Sequence, residues 1–348
     1  MLLTDPRAVR GTLLTRRQLA LRGAALAAAG VVLLALALSG LLVPVVNPVL
    51  AIAGLVLAYA GADRLLWAAR RRRADLLLGL AAGWLVVLVA VAVLAPVLPL
   101  GEHEDVAATI LEPTYLEPFR YADHPLGTNG YGLDMLARVI YGARASLTIS
   151  LMAVSIGLVV GGALGVVAGF YRRRVDGVIG ILTNALLAVP PLILLIVLAT
   201  VLDPKVRNMA IALSLLTIPT MVRLARANTI AYSQREFVLA ARALGATRLR
   251  IMARELVPNV VPPMLSMAVV VVSSLIVAEA SLSFLGLGIQ PPQPTWGNMI
   301  LEAEANDTMS QHPFILLVPG VTLFLTVFSF NLLGERAQKR WDPRGAKL

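Results

Sequence analysis

The chain has 348 residues, 58% of them hydrophobic and 14% charged, with a formal net charge of +10 and no cysteine. A water-soluble domain carries about 25% charged residues, and no core of this size hides so much apolar surface, so a soluble globular protein is excluded. The missing cysteines exclude disulfides, thiolate metal sites and a cysteine nucleophile.

The apolar residues gather in charge-free runs at 23–46, 76–101, 145–171, 177–202, 256–278 and 313–334. Each is long enough to cross a hydrocarbon core of about 30 Å, which takes roughly 20 helical residues. Two shorter runs, 47–62 and 208–222, are required as spans by the placement of charge. Of the 30 basic residues, 25 fall in alternate connections: before the first run, after the second, fourth and sixth, and after the last. The other connections hold Arg120, Arg138, Arg144, Lys205 and Arg207, with most of the acids. An eight-span topology with both termini in the cytoplasm puts every basic cluster on the cytoplasmic side. Orientation thus accounts for the positive charge and leaves no case for nucleic acid. The first run is too long, and too closely followed by the second, for a cleavable signal peptide.

In chain order, residues 1–75 read as an N-terminal extension with two membrane helices, ending in Arg70–Arg73. Residues 76–348 form the main domain. Its third span runs outward into an external segment, 101–144. Pro113, Pro118 and Pro125 make the first part of that segment irregular. Leu133, Leu136, Ala137, Ile140 and Tyr141 then recur at helical spacing and predict a short amphipathic helix at the outer surface. The fourth span carries Gly157, Gly161, Gly165 and Gly169, four residues apart. Such a stripe lets a second helix approach closely, although glycine is also simply common in membrane helices. The sixth span contains Pro219. The long cytoplasmic connection at 223–262 reads as two short helices. Glu236 opens the first, whose apolar face is Phe237, Val238, Ala241 and Leu244, and Gly245 supplies a left-handed ending. Thr247 caps the second and Pro258 stops it.

The chain has three lysines, Lys205, Lys339 and Lys347, and none follows a glycine. A phosphate-binding P-loop needs Gly-Lys followed by Ser or Thr, so no ATPase site of that kind is present. His103, His124 and His312 are scattered without metal-ligand spacing. No nucleophile elbow appears, and catalysis by this chain is not expected.

Ala240 and Ala241, followed by Gly245 after three residues and Pro258 after twelve more, resemble the EAA loop of binding-protein-dependent ABC importer permeases. Leu239 stands where that motif has its leading glutamate, and Glu255 and Val257 where it has Ile and Leu. The stretch from His124 to Asp134, and Ile140 to Leu147, are similar to the C-type permease subunit of dipeptide, oligopeptide and nickel importers. Asn129 and Leu133 replace that family's usual Asp and Arg. The runs Ala280 to Gly288, Pro291 to Met299, Asn331 to Glu335 and Trp341 to Arg344 continue the likeness in the same order. It covers about 77–344 and leaves the N-terminal helices outside it.

The eight predicted spans make an all-α polytopic membrane bundle, and the resemblance implies that six of them are the type I ABC importer permease core. It implies a multi-pass protein of the bacterial plasma membrane that forms half of a path for di- or oligopeptides by alternating access. A homologous second permease would complete the path. Two ATP-binding subunits or domains, carrying ATP and Mg, would dock on the connection at Glu236, Ala240, Ala241, Arg242, Gly245 and Pro258. An external binding protein would deliver substrate. No cofactor is expected in the chain itself. Glu279 is the acid inside a predicted span. It reads, with Ser283, as lining the translocation path, or else as a carboxylate near the outer interface paired with a neighbouring subunit. Trp296 reads as an interfacial aromatic. Nickel or another peptide-like solute is an alternative cargo. A stand-alone secondary transporter is an alternative mechanism, and it would show intramembrane ionisable pairs or internal repeats.

Overall fold

The computed structural model describes residues 16–38, 54, 57–62, 64–65, 75–304 and 308–341. Their contacts divide the chain into two units, Met1–Leu80 and Ala81–Leu348. In the first unit, α1 (Arg16–Leu38) meets the second apolar segment through small residues. A Cβ on Gly30 would lie 2.6 Å from Gly54 O, and one on Gly61 would lie 2.6 Å from Gly23 O. The backbones therefore touch, which only glycine permits. Residues 39–53 and most of 55–74, which include much of both predicted N-terminal spans, lie outside the described residues.

The second unit begins within α2 (Leu76–Leu94), which ends in a 3₁₀ turn at Ala95–Val97. An irregular segment follows. A single helix, α3, then runs over Met135–Tyr171 with a π-helical turn at Gly157–Gly161. The chain reverses at Arg172, where φ is 53°. It continues through α4 (Arg173–Ala188), α5 (Pro191–Val201), α6 (Val206–Tyr232) and α7 (Glu236–Ala243). The last long elements are α8 (Arg248–Phe284), with a π-helical turn at Ile251–Leu256, α9 (Trp296–Glu304), α10 (Thr308–Gln311) and α11 (Phe314–Trp341). Among the described residues the only extended pairing is one isolated bridge between Thr128 and Asp134. Among the described residues, five helices are long and apolar enough to cross a membrane, and α4 with α5 makes a sixth if the bent pair is one span. Counted so, they correspond to the spans expected at 76–101, 145–171, 177–202, 208–222, 256–278 and 313–334.

Four details differ from the sequence expectation. The amphipathic stretch at 133–141 is not a separate surface helix. Asp134 caps α3 by accepting the Ala137 N–H at 2.7 Å, and α3 then runs without interruption into the fourth span. The fifth span is broken: α4 and α5 meet at 88°, at Pro190 and Pro191, where the chain lacks two donors. The sixth span extends to Tyr232 and carries Arg207, Arg223 and Arg226 within its helix. Pro258 does not end a helix either. The π-helical turn just before it takes up the lost hydrogen bonding, and α8 runs on to Phe284.

The core centres on α3, α6 and α8. A Cβ on Gly161 would lie 2.7 Å from Ile218 O, and one on Gly169 2.8 Å from Arg226 O. The glycine stripe therefore lies directly on the backbone of α6, at residue spacing that follows both helices. At one end of this packing Arg226 of α6 makes two hydrogen bonds to Asp176 of α4.

Candidate functional site

Two places on the second unit combine shape with chemistry, one at each end of α3.

At the Tyr171 end, α7 is held by one face and open on the other. Val238 is fully buried in the core, and Ala241 and Ala246 pack against that core. Glu236, Phe237, Leu239, Ala240 and Leu244 stand exposed, Leu244 at 89%. Arg242 does not point into solvent alone, since its guanidinium lies 5.9 Å from the centroid of the Phe170 ring at the end of α3. Gly245 has φ +80°. Its N–H donates to Arg242 O and the Ala246 N–H donates to Ala241 O, both at 3.0 Å. This pair of bonds is the Schellman motif, which satisfies the last carbonyls of a helix through one left-handed residue. Thr247 then caps α8 by accepting the Arg250 N–H. The two caps leave only 244–247 between α7 and α8, so the open face of α7 is fixed against a span.

At the Met135 end, the segment at 98–134 folds on its own polar groups. The Glu102 carboxylate accepts the N–H groups of His103, Glu104 and Asp105 at 2.9, 3.0 and 3.0 Å. These bonds, Asp105's foremost, hold Glu102 below the usual carboxylate range. His103 stacks on Tyr141 with ring centroids 3.6 Å apart. Burial pushes the His103 imidazole down, against the pull of the Glu102 and Glu104 carboxylates. Asn129 accepts the N–H groups of Tyr131 and Leu133 and donates to Glu302. The Arg138 guanidinium, 2% exposed, donates to the other Glu302 oxygen at 2.8 Å. Glu302 of α9 thus ties the segment to the start of α3. An aspartate at position 129 could not donate to it.

Both depressed groups tie stability to pH in one direction. The fold favours the deprotonated form of each, so the unfolded chain binds more protons. The contribution of His103 is complete above about pH 6.5 and is lost as pH falls to its folded value. That of Glu102 is lost further down, below about pH 4.3. Amide exchange at His103, Glu104 and Asp105, corrected for its intrinsic pH dependence, should accelerate between neutral pH and about pH 4. Glu102→Gln should remove the lower part of that change.

Between the two ends, Glu279 lies in α8 with no exposed surface. It accepts the hydroxyls of Ser146 from α3 and Ser283 from α8, both at 2.8 Å. In this conformation Glu279 and Ser283 are sealed in the seam between α3 and α8, and only an opening of that seam would expose them to a path. Trp296 is also fully buried, not interfacial, and its indole N–H donates to Val139 O at 3.1 Å. Glu279→Ala should lower stability by ~3 kcal/mol, from the cavity and two hydroxyls left without their acceptor. Glu279→Gln, which keeps an acceptor oxygen, should lose much less. Thermal unfolding of the purified variants decides this.

The roles of Glu302, Arg138, Ser146 and the Asp176–Arg226 pair are not legible in the sequence. Their partners are 164, 133 and 50 residues away, where no periodicity reaches.

Residues 161–346 match the family described as binding-protein-dependent transport system inner membrane component. This chain belongs to that family. The permease is 38% identical over 250 residues to a di/tripeptide transport system permease protein, DppC, of Pseudomonas aeruginosa, covering 72% of this chain and 81% of the relative. It is 34% identical to the dipeptide transport system permease protein DppC of Alkalihalophilus pseudofirmus, covering 64% and 73%. It is 34% identical to the glutathione transport system permease protein GsiD of Pectobacterium atrosepticum, covering 64% and 73%. The matched region, 161–346, contains α7 and its two caps, Glu279 and Glu302, while their α3 partners Ser146 and Arg138 and the segment at 98–134 precede it. The permease is a membrane component of an ABC importer and spans the membrane several times.

Proposed function

We propose that this permease forms half of the translocation path of an ATP-driven importer for di- or oligopeptides. A second, homologous permease completes the path, and an external binding protein delivers the peptide. The observation that carries this reading is α7: an exposed apolar face, anchored by Val238 and locked at Gly245, at an end of the bundle rich in arginine. Such a surface fits a groove on an ATP-binding subunit, and the clustered basic residues favour a cytoplasmic position for that end. Two such subunits, holding ATP and Mg, drive alternating access by closing on one another and pushing α7. Glu236, Ala240, Ala241, Arg242 and Gly245 make the contact, and Pro258 shapes the span behind it. Residues 1–75 form an added two-helix extension to a permease domain at 76–348. The names of the three relatives favour peptides as cargo.

The test is a mild-detergent pull-down of the tagged chain from its native membranes, followed by reconstitution with what is recovered. A P-loop ATPase and a second permease in comparable amounts, with ATP-dependent uptake of a dipeptide, are expected. A folded preparation that transports without either partner would overturn the reading, and uptake of nickel in place of peptide would overturn the cargo.

A further inference from the structure

The Met135 end of α3 borders a cavity of about 370 Å³ lined by His103, Glu104, Tyr141, Arg144, Thr148 and Gln293. Tyr141, Arg144 and Thr148 lie three and four residues apart and so share one face of α3. Arg144 is exposed, and no side chain or carbonyl among the described residues pairs with it. Its neighbour in sequence, Arg138, is the opposite case, buried and tied to Glu302. Arg144 is nine residues into a membrane-crossing helix, about 14 Å from its start at 1.5 Å per residue. It immediately precedes the charge-free run at 145–171, and a guanidinium at the edge of a span turns to a cavity, a partner or the aqueous interface. Here the cavity is present, and it carries one acid, Glu104, on its wall. Its volume lies in the range that holds small ligands, about 300–1,000 Å³.

We propose that this cavity is a peptide subsite of the translocation path, where the Arg144 guanidinium takes the substrate's C-terminal carboxylate and Glu104 takes its ammonium. The inference rests on the peptide-importer reading above. Arg144 is the residue suited to the task, because its planar fork meets a carboxylate through two parallel N–H donors and stays charged at every physiological pH. The pair of opposite charges selects zwitterions over neutral amides and over simple anions. Tyr141, braced by His103, and Thr148 border the guanidinium on the same face. Among the described residues no polar side chain pairs with Arg144, so the site is ready for a ligand without first breaking an ion pair.

The chain has no cysteine, so Thr148→Cys places a single thiol of its own in the cavity. The purified complex of this chain with its partner subunits, without binding protein, is treated with a charged methanethiosulfonate and graded concentrations of dialanine. Dialanine should slow modification of the thiol, and dialanine amide should not. Arg144→Gln in the same background should raise the half-protecting dialanine concentration by about tenfold or more, and Arg144→Lys should recover part of that loss. Protection unchanged by Arg144→Gln overturns the proposal. So does an Arg144→Gln complex that loses its second permease while Arg144→Lys keeps it, which assigns the guanidinium to the subunit interface. Protection by phosphatidylglycerol in place of dialanine also overturns it, in favour of a lipid headgroup. Wild-type uptake of dialanine is measured in parallel. If uptake is present without Arg144-dependent protection, only the subsite fails. If no peptide is taken up, the cargo reading fails and the subsite with it.

Discussion

Gly165→Leu will leave little folded permease to purify. A Cβ at this position would lie 2.5 Å from Val222 O and 2.6 Å from the Ala225 Cβ. One obstacle is backbone and the other is a side chain with no rotamer to change, so neither can step aside. The remaining atoms of leucine can be accommodated only by separating α3 from α6. In lipid, close van der Waals packing is a main source of cohesion between helices, and separation forfeits it along the whole stripe from Gly157 to Gly169. Overpacking in a well-filled core costs about 1–3 kcal/mol, and here the cost recurs at neighbouring turns that must move together. Gly165→Ala should give an intermediate loss. Gly83→Leu, with nothing within 4 Å of the added Cβ, should behave like the parent chain. The monodisperse fraction in detergent and the thermal midpoint read out all three. Normal yield of Gly165→Leu would mean that α3 and α6 are not in register as described.

Gly245→Val should leave the protein inserted and folded while uptake falls by about tenfold or more. Nothing lies within 4 Å of a Cβ at 245, so the substitution meets no neighbour. Its cost is conformational: φ of +80° places Cβ against the carbonyl, at about 1–2 kcal/mol. The branched side chain of valine adds to this. The turn relaxes toward another geometry, both Schellman bonds are lost, and α7 no longer holds its angle to α8. ATP hydrolysis by the reconstituted complex should then persist without matching transport, since each 1.4 kcal/mol of lost preference between states is tenfold. Gly245→Asn tolerates the left-handed conformation and should retain most of the uptake. Parent-like transport by the valine variant would remove Gly245 from the coupling role.

Five of the six spans of the second unit were legible because each holds a run of about 20 uncharged apolar residues, and the span at 208–222 was legible only from the alternation of basic clusters. Gly245 and Thr247 were legible because a left-handed turn and a helix cap each demand a particular side chain. What the sequence concealed was continuity. Hydropathy alone merges 177–202 into one span, because Val189, Pro190 and Pro191 carry no charge to interrupt it, yet the chain bends there by 88° where two donors are missing. Conversely, Pro258 reads as a stop, and the π-helical turn at Ile251–Leu256 absorbs it. The polar ties were concealed for a different reason. Glu302 gains meaning only once α9 is laid beside the start of α3, and Glu279 only once α8 is laid beside Ser146.

The unbroken course of α8 from Arg248 to Phe284 makes it a single rod. Thr247 at its first turn adjoins α7, and Glu279 lies 32 residues further on, about 48 Å away at the helical rise. A rod needs no relay of rearranging side chains to carry a displacement that far. Tilting its first turn sweeps its far end through an arc. Movement imposed on α7 therefore arrives at the seam with Ser146 as a change of angle, at the position where α3 and α8 share their buried carboxylate.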